Sequence, residues 1–414
     1  MLVLHGAQRK FFDGEILMKI KDFRFERVKG QWDHQGPLQE ERLIRPVDIY
    51  PEFREEGAGW SGIAPEEGPP YRVEAIFLYL DTDEGVSGMY GPVQDSLVPI
   101  ITGLLSGIVV GENPHAVARI WDKMYRSAIH GRKGETMMAI SVIDLALWDL
   151  KGKLLNAPVY ELLGGPSRDK IRAYASMLGY SIEPDRVAQR ARDVVAKGYG
   201  ATKWFFRHGP TDGGEGIRKN IELIRTVREA VGPDVEIMFD AWSSWNVPYT
   251  KRMAELAADY RPKWFEEPVM ADMIPQYAEI RRAVSSVSIS GGEHEYTRWG
   301  IKALLDAEAV DILQPDPTWA GGLTEMVRIC ALASAYGIPV IPHHGGIASS
   351  HLIASQPLTT CPIQEWLIQH GARGQIFLKH RIEPVEGHIE LPDRPGLGLI
   401  LDEDTIESRE DMRP

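Results

Sequence analysis

Three short apolar runs in the middle of the chain, EIMFDAW, KWFEEP and SISGGEHE, each end in an acid: Asp240, Glu266 and Glu293. The positions are almost evenly spaced, and the interval matches one strand, one helix and two short loops, the repeating unit of a (β/α)8 barrel. Parallel strands in such a barrel end on one rim, so the three carboxylates are expected to converge. Like charges held together repel. A hard divalent cation with all-oxygen ligands, Mg²⁺ above all, relieves that repulsion. Pairing with a nearby Lys or Arg is the better explanation of any one of these acids, but explains three in register poorly. The expectation is a divalent metal site.

The same rim logic extends to the strands that follow. ILQPDP would end strand six at Asp316, and VIPHH would end strand seven at His343 and His344. A carboxylate on one ring nitrogen of an imidazole fixes its tautomer, raises its pKa and leaves the other nitrogen to take a proton. Asp316 and His343 are therefore a candidate acid–base pair. Glu365, in QEWL, would end strand eight, either as a protonated hydrogen-bond donor or as a rim acid in a salt bridge. His294 follows Glu293 directly, placed to reach a substrate from the far side or to support the site by hydrogen bonding. On strand two, ATKWFFR, alternation turns Lys203 inward and puts Phe205 in the next inward place. Arg207 and His208 lie beyond it, positioned to meet a carboxylate or hydroxyls, or simply solvated.

These groups need a scaffold of sufficient size. The chain has 414 residues, 43% hydrophobic and 25% charged, which suits a globular barrel plus a second domain. Eight apolar strand candidates run from 171 to 367, at 171–177, 202–206, 236–241, 263–267, 288–292, 311–315, 339–343 and 363–367, most separated by amphipathic helical runs. Upstream, the alternating stretch from Ile16 to Val28 and the segments YRVEAIFLYLDT and GVSGMYG predict a small antiparallel sheet. Helices follow from Val98, from His115 and, most clearly, from Thr136 to Leu155. The expected organisation is an α+β capping domain over 1–165, a barrel over 166–370, and a tail over 371–414 that packs back on the cap. Residues 29–70, with Trp32, His34 and Trp60, have no sustained period and suit a lid. A net charge of −13 argues against nucleic acid or anionic membrane as partners. Two cysteines without ligand spacing suggest a reducing compartment. With no signal-like or membrane-length run, the expectation is a cytoplasmic protein.

Together, Asp240, the Glu266-Glu267-Pro268 triplet, Gly292-Glu293-His294, the Asp316–His343 pair and the segment SVIDLALWDLKGKLLNAPVYELLGG resemble the mandelate racemase branch of the enolase superfamily, over residues 70–400. Within that branch the chain is most similar to the L-rhamnonate dehydratase family, through KWFFRHGPTDGGEGIRK, GEHE, QPDPTWAGGLT, PHHGG and Glu365. The branch's Lys-x-Lys base motif is broken here by Phe205, as in those dehydratases and unlike the racemases and cycloisomerases.

The resemblance implies a modified, enolase-like barrel under an α+β cap, with Glu266 rather than Glu267 as the middle Mg²⁺ ligand. It implies a hydro-lyase that removes the C2 proton of an aldonate and expels the C3 hydroxyl, giving a 2-keto-3-deoxy acid, with L-rhamnonate as the expected substrate. In that scheme His343, oriented by Asp316, is the base and Glu365 and His294 assist. Lys203, Arg207 and His34 bind the substrate. Alternatives are a dehydratase for lyxonate, fuconate or mannonate, a racemase or epimerase, and a non-catalytic sugar-acid sensor. The resemblance also implies a homo-oligomer.

Overall fold

The computed structural model describes residues 18–37, 39–54 and 69–412. Residues 1–17 and part of the expected lid, Trp60 included, lie outside that range. β1 (Ile20–Trp32) and β2 (Tyr71–Thr82) bury Phe23, Phe25, Ile76, Leu78 and Leu80 on the side that meets the core. With β3 (Ser87–Val93) they form an antiparallel meander. The fourth strand comes from the far end of the chain: β12 (Ser408–Met412) pairs with β1, giving the order β12-β1-β2-β3. Helix α1 (Val117–Ser127) packs on helix α2 (Glu135–Leu155), which lies against β3. Ile140, Ile143, Leu147 and Leu150 of α2 are fully buried. The approach is close enough that a Cβ at Gly88 would collide with the Ala146 carbonyl oxygen.

The second sheet is parallel, in the order β10-β4-β5-β6-β7-β8-β9. Its strands are β4 (Lys170–Ser176), β5 (Ala201–Phe205), β6 (Glu236–Asp240), β7 (Trp264–Glu266), β8 (Ser288–Gly291), β9 (Ile312–Leu313) and β10 (Gln364–Leu367), and the short β11 (His388–Glu390) pairs antiparallel with β4. Outer helices α3 (Pro184–Ala196), α4 (Gly213–Val231), α5 (Val247–Ala257), α6 (Ile274–Ala283) and α7 (Thr297–Asp306) connect the strands as far as β9. α8 (Gly322–Ala335) and α9 (Gly346–Ser355) flank the seventh strand position. That position, expected over 339–343, is reduced to a bridge between Leu313 and Val340, whose N–H donates to Thr360 at 2.7 Å. Pro339 and Pro342 lack the N–H groups a longer ladder needs. The fold is thus a modified (β/α)8 barrel beside an antiparallel α+β unit.

Tyr174, Ala201, Met238, Trp264, Ile312, Ile341 and Ile363 form a separate buried cluster inside the barrel. Each stands two residues before a group at the rim: Ser176, Lys203, Asp240, Glu266, Gln314, His343 and Glu365. Side chains two apart on a strand share a face. The apolar layer is therefore the floor of a polar one, and the strand period alone stacks them. Among the described residues, no helix is long and apolar enough to cross a membrane.

Candidate active site

Asp240, Glu266 and Glu293 end β6, β7 and the segment just past β8, and all three are buried. One carboxylate oxygen from each lies within 4.8 Å of the others. Burial and the neighbouring Glu266 push the Asp240 carboxyl well above its usual range. Burial likewise carries Glu293 up to about 7, although His343 pulls it down. Three buried carboxylates short of countercharge are an all-oxygen donor set, and their chemistry fits a hard divalent cation such as Mg²⁺.

Lys203 supplies part of the missing charge. Its ammonium lies 2.6 Å from Glu266 Oε1, 2.9 Å from Glu365 Oε1 and 3.8 Å from Asp240 Oδ2. Burial alone would lower its pKa, but Glu266 and Glu365 hold it well above the ordinary lysine value. Glu365 is affected in return: against the burial that raises it, Lys203 and His343 bring its carboxyl down to about 2. Of the two roles weighed for Glu365, the geometry is that of the ionised rim acid, with its Oε2 accepting the His344 N–H at 2.8 Å.

Two imidazoles border Glu293. His343 Nδ1 is 2.8 Å from Asp316 Oδ2, and its Nε2 is 3.2 Å from Glu293 Oε1. Burial disfavours the imidazolium, yet Glu293 and Asp316 together lift His343 to about 10. Asp316 is fixed in turn by the Thr318 N–H and hydroxyl, each donating at 2.6 Å to Oδ1. His294 Nδ1 lies 2.6 Å from Glu267 Oε2, and its Nε2 lies 3.9 Å from Glu293 Oε1. Burial opposes it too, but Glu267 raises it to about 9. Trp319 stands between the rings, 5.7 Å from His294 and 5.1 Å from His343. A cavity of about 330 Å³ opens beside this group, lined by Tyr90, Met138, Asp316, Trp319, His344 and Trp366 among others.

The structure brings together Asp240, Glu266, Glu293, Lys203, Glu365, His343, Asp316 and His294. The two other expected substrate ligands, Arg207 and His34, have partners of their own. Arg207 is turned to the lid segment, with Nε 3.3 Å from Glu41 Oε1 and an N–H donating to the Arg54 carbonyl at 2.9 Å. His34 stacks on Trp32 at 4.4 Å and lies near Tyr71.

Three contributors escaped the sequence reading. Gln314 and Trp264 both donate to Glu266 Oε2, at 2.8 and 2.9 Å. Strand alternation two residues before Asp316 and Glu266 would have indicated both. Glu267, set aside as a ligand, orients His294. It has φ 41°, and Trp242, Ser243, Thr297 and His344 also have positive φ, so left-handed backbone gathers just past the strand ends.

The chain and its fold have clear counterparts. Residues 72–164 match the family model for the mandelate racemase / muconate lactonizing enzyme N-terminal domain, and residues 186–405 match the enolase C-terminal domain-like model. An L-rhamnonate dehydratase from Saccharopolyspora erythraea is 39% identical over 93% of this chain and 97% of its own length. The crystal structure of rhamnonate dehydratase from Gibberella zeae complexed with Mg superposes with a TM-score of 0.79 and 32% identity, covering 94% and 95% of the two chains. The 3,6-anhydro-D-galactonate cycloisomerase from Zobellia galactanivorans superposes with a TM-score of 0.74 and 29% identity, covering 94% and 100%.

Proposed function

This chain belongs to the mandelate racemase / muconate lactonizing enzyme family of enolase-like proteins, and on that premise we propose that it is a Mg²⁺-dependent acid-sugar dehydratase acting on L-rhamnonate. The observation that carries the reading is the His343–Asp316 pair, joined at 2.8 Å and only 3.2 Å from Glu293 of the acid cluster. A base beside a carboxylate-binding cation is what removal of a proton next to a carboxylate requires.

Asp240, Glu266 and Glu293 would hold the ion, which supplies positive charge to stabilise the ene-diolate as it forms. Lys203 stands beside them to hold the substrate carboxylate. His343 Nε2 takes the C2 proton while Asp316 keeps Nδ1 protonated. The imidazolium then returns its proton to the departing C3 hydroxyl, so elimination is syn and the product is a 2-keto-3-deoxy acid. His294, charged against Glu267, delivers the last proton to the enol carbon or assists the leaving group.

The proposal includes the division of the chain at 165 and 370. The pairing of β12 with β1 supports the returning tail. A cytoplasmic setting agrees with the two buried free thiols, Cys330 and Cys361. Assembly as a homo-oligomer is supported by apolar Ile49, Tyr50 and Phe53, all exposed on one segment.

A panel of aldonic acids assayed for 2-keto acid, with Mg²⁺ and with EDTA, tests the reading. Metal-dependent product from L-rhamnonate is the expected result. Product only from lyxonate, fuconate or mannonate would keep the reaction and change the substrate. Exchange of the C2 proton in D₂O without keto acid would point to the second reading, an epimerase. The presence of a second imidazole, His294, beside Glu293 favours that alternative.

A further inference from the structure

The loop that carries Glu293 and His294 begins at Gly292, with φ 101°, and ends at Thr297, with φ 61°. A β-branched residue in the left-handed region is strained, and such conformations persist only where the surroundings hold them. On the barrel side, the Thr297 N–H donates to the Ala320 carbonyl at 3.1 Å, and the Arg298 N–H to Glu325 Oε1 at 2.9 Å. The opposite hold is less expected. Lys133, in the turn before α2 and outside the barrel, reaches across so that Nζ lies 2.7 Å from Glu295 Oε1 and 2.9 Å from Oε2.

Glu295 is built into this contact. Its side chain is 5% exposed, against 57% for Lys133. Its Oε1 also accepts the Tyr296 N–H at 2.8 Å. The carboxylate fills space left by a glycine, since a Cβ at Gly300 would collide with it. A buried carboxylate that loses its cation must find water or bear an uncompensated charge. Glu295 lies one residue from His294 and two from Glu293.

We infer that Lys133 and Glu295 are positioning residues, a strut from the turn before α2 that fixes the orientation of Glu293 and His294. Neither touches the substrate; both act through the backbone of 293–296. This rests on the dehydratase reading for its kinetic arm and only on the acid cluster for its metal arm.

Lys133→Ala tests it well, because an exposed side chain leaves the core undisturbed. Groups that orient metal ligands typically contribute about 10-fold to 100-fold in affinity or activity when removed. We expect about a 10-fold weaker Mg²⁺ Kd by calorimetry and a similar fall in kcat on L-rhamnonate, with KM little changed. Lys133→Arg should restore both, and Glu295→Gln combined with Lys133→Ala should be no worse than either alone. Unchanged Mg²⁺ affinity and kcat in Lys133→Ala, even with a lower Tm, would make the pair a simple stitch and overturn the inference. If the parent protein turns over no aldonate, the dehydratase reading fails. The Mg²⁺ titration still decides the strut.

Discussion

The two histidine–carboxylate pairs flanking Glu293 look alike at first. Each joins an imidazole Nδ1 to a buried acid, His343 to Asp316 at 2.8 Å and His294 to Glu267 at 2.6 Å. Their surroundings differ. Asp316 is fastened by Thr318 and has no part in the acid cluster. Glu267 follows Glu266 directly and groups with Glu293 and His294 in a second set of potential ligand atoms. The His343 side chain is 14% exposed and that of His294 31%. One imidazole is thus oriented by an acid that a bound cation would leave untouched, and is sheltered from water. The other is oriented by an acid that itself borders the acid cluster, and it is more exposed to solvent. A group that must hold a proton between two steps suits the first setting, and one that exchanges protons with water suits the second.

The strongest way to break this comparison is His343→Asn. If His343 starts the reaction, turnover should fall by about 10⁴-fold, the upper end for a general base. C2 proton exchange in D₂O should vanish while Mg²⁺ affinity persists. Surviving exchange would move the base elsewhere. His294→Asn should cost about 10²-fold in keto-acid formation, yet leave C2 exchange measurable, because its proton is needed later. Equal loss of exchange in both variants would erase the distinction between the pairs.

Much of this pairing could be read from the sequence, and the reasons are physical. Asp240, Glu266, Asp316, His343 and Glu365 lie at strand ends because apolar runs mark strands and the barrel repeat spaces them. Gln314 and Trp264 obey the same alternation, but a neutral amide and an indole carry no chemical flag. Glu267 breaks the alternation. A residue next to Glu266 should face away, and only its left-handed backbone, at φ 41°, accompanies a side chain turned to His294. The contacts of Arg207 were illegible for another reason. Its partners Glu41 and Arg54 are far off in sequence, and no local pattern reports such a pairing. The short seventh strand was visible all along in Pro339 and Pro342.

A gentler comparison removes the supporting acids. Asp316→Asn should lower kcat about 100-fold and leave the Mg²⁺ Kd unchanged, since Asp316 orients only the base. Glu267→Gln should lower kcat about 10-fold and weaken Mg²⁺ binding as well, because Glu267 borders the acid cluster. Calorimetry and steady-state kinetics on the same preparations separate the two patterns. Identical profiles would show that both pairs couple to the ion alike.

The smallest effect expected is in the pH dependence of Mg²⁺ binding, and its sign follows from the protons that the acids and imidazoles hold. Glu293 is raised to about 7, chiefly by burial. His294 and His343, opposed by burial but lifted by Glu267 and by Glu293 with Asp316, reach about 9 and about 10. All three bind protons more tightly than free side chains do. A cation needs Glu293 ionised and repels the imidazolium charges beside it, so binding must expel protons. Affinity should therefore be weakest in acid, rise as pH passes about 7 where Glu293 ionises, and go on rising toward the range of the two imidazoles. Titrations in buffers of different ionisation enthalpy should report release of on the order of one proton per ion at neutral pH. In His343→Asn the release should shrink only if His343 gives up its proton to make room for the ion. An unchanged count would assign the displaced proton to Glu293 or His294, and the sheltered imidazole would then reach the substrate still charged and unable to act as the base.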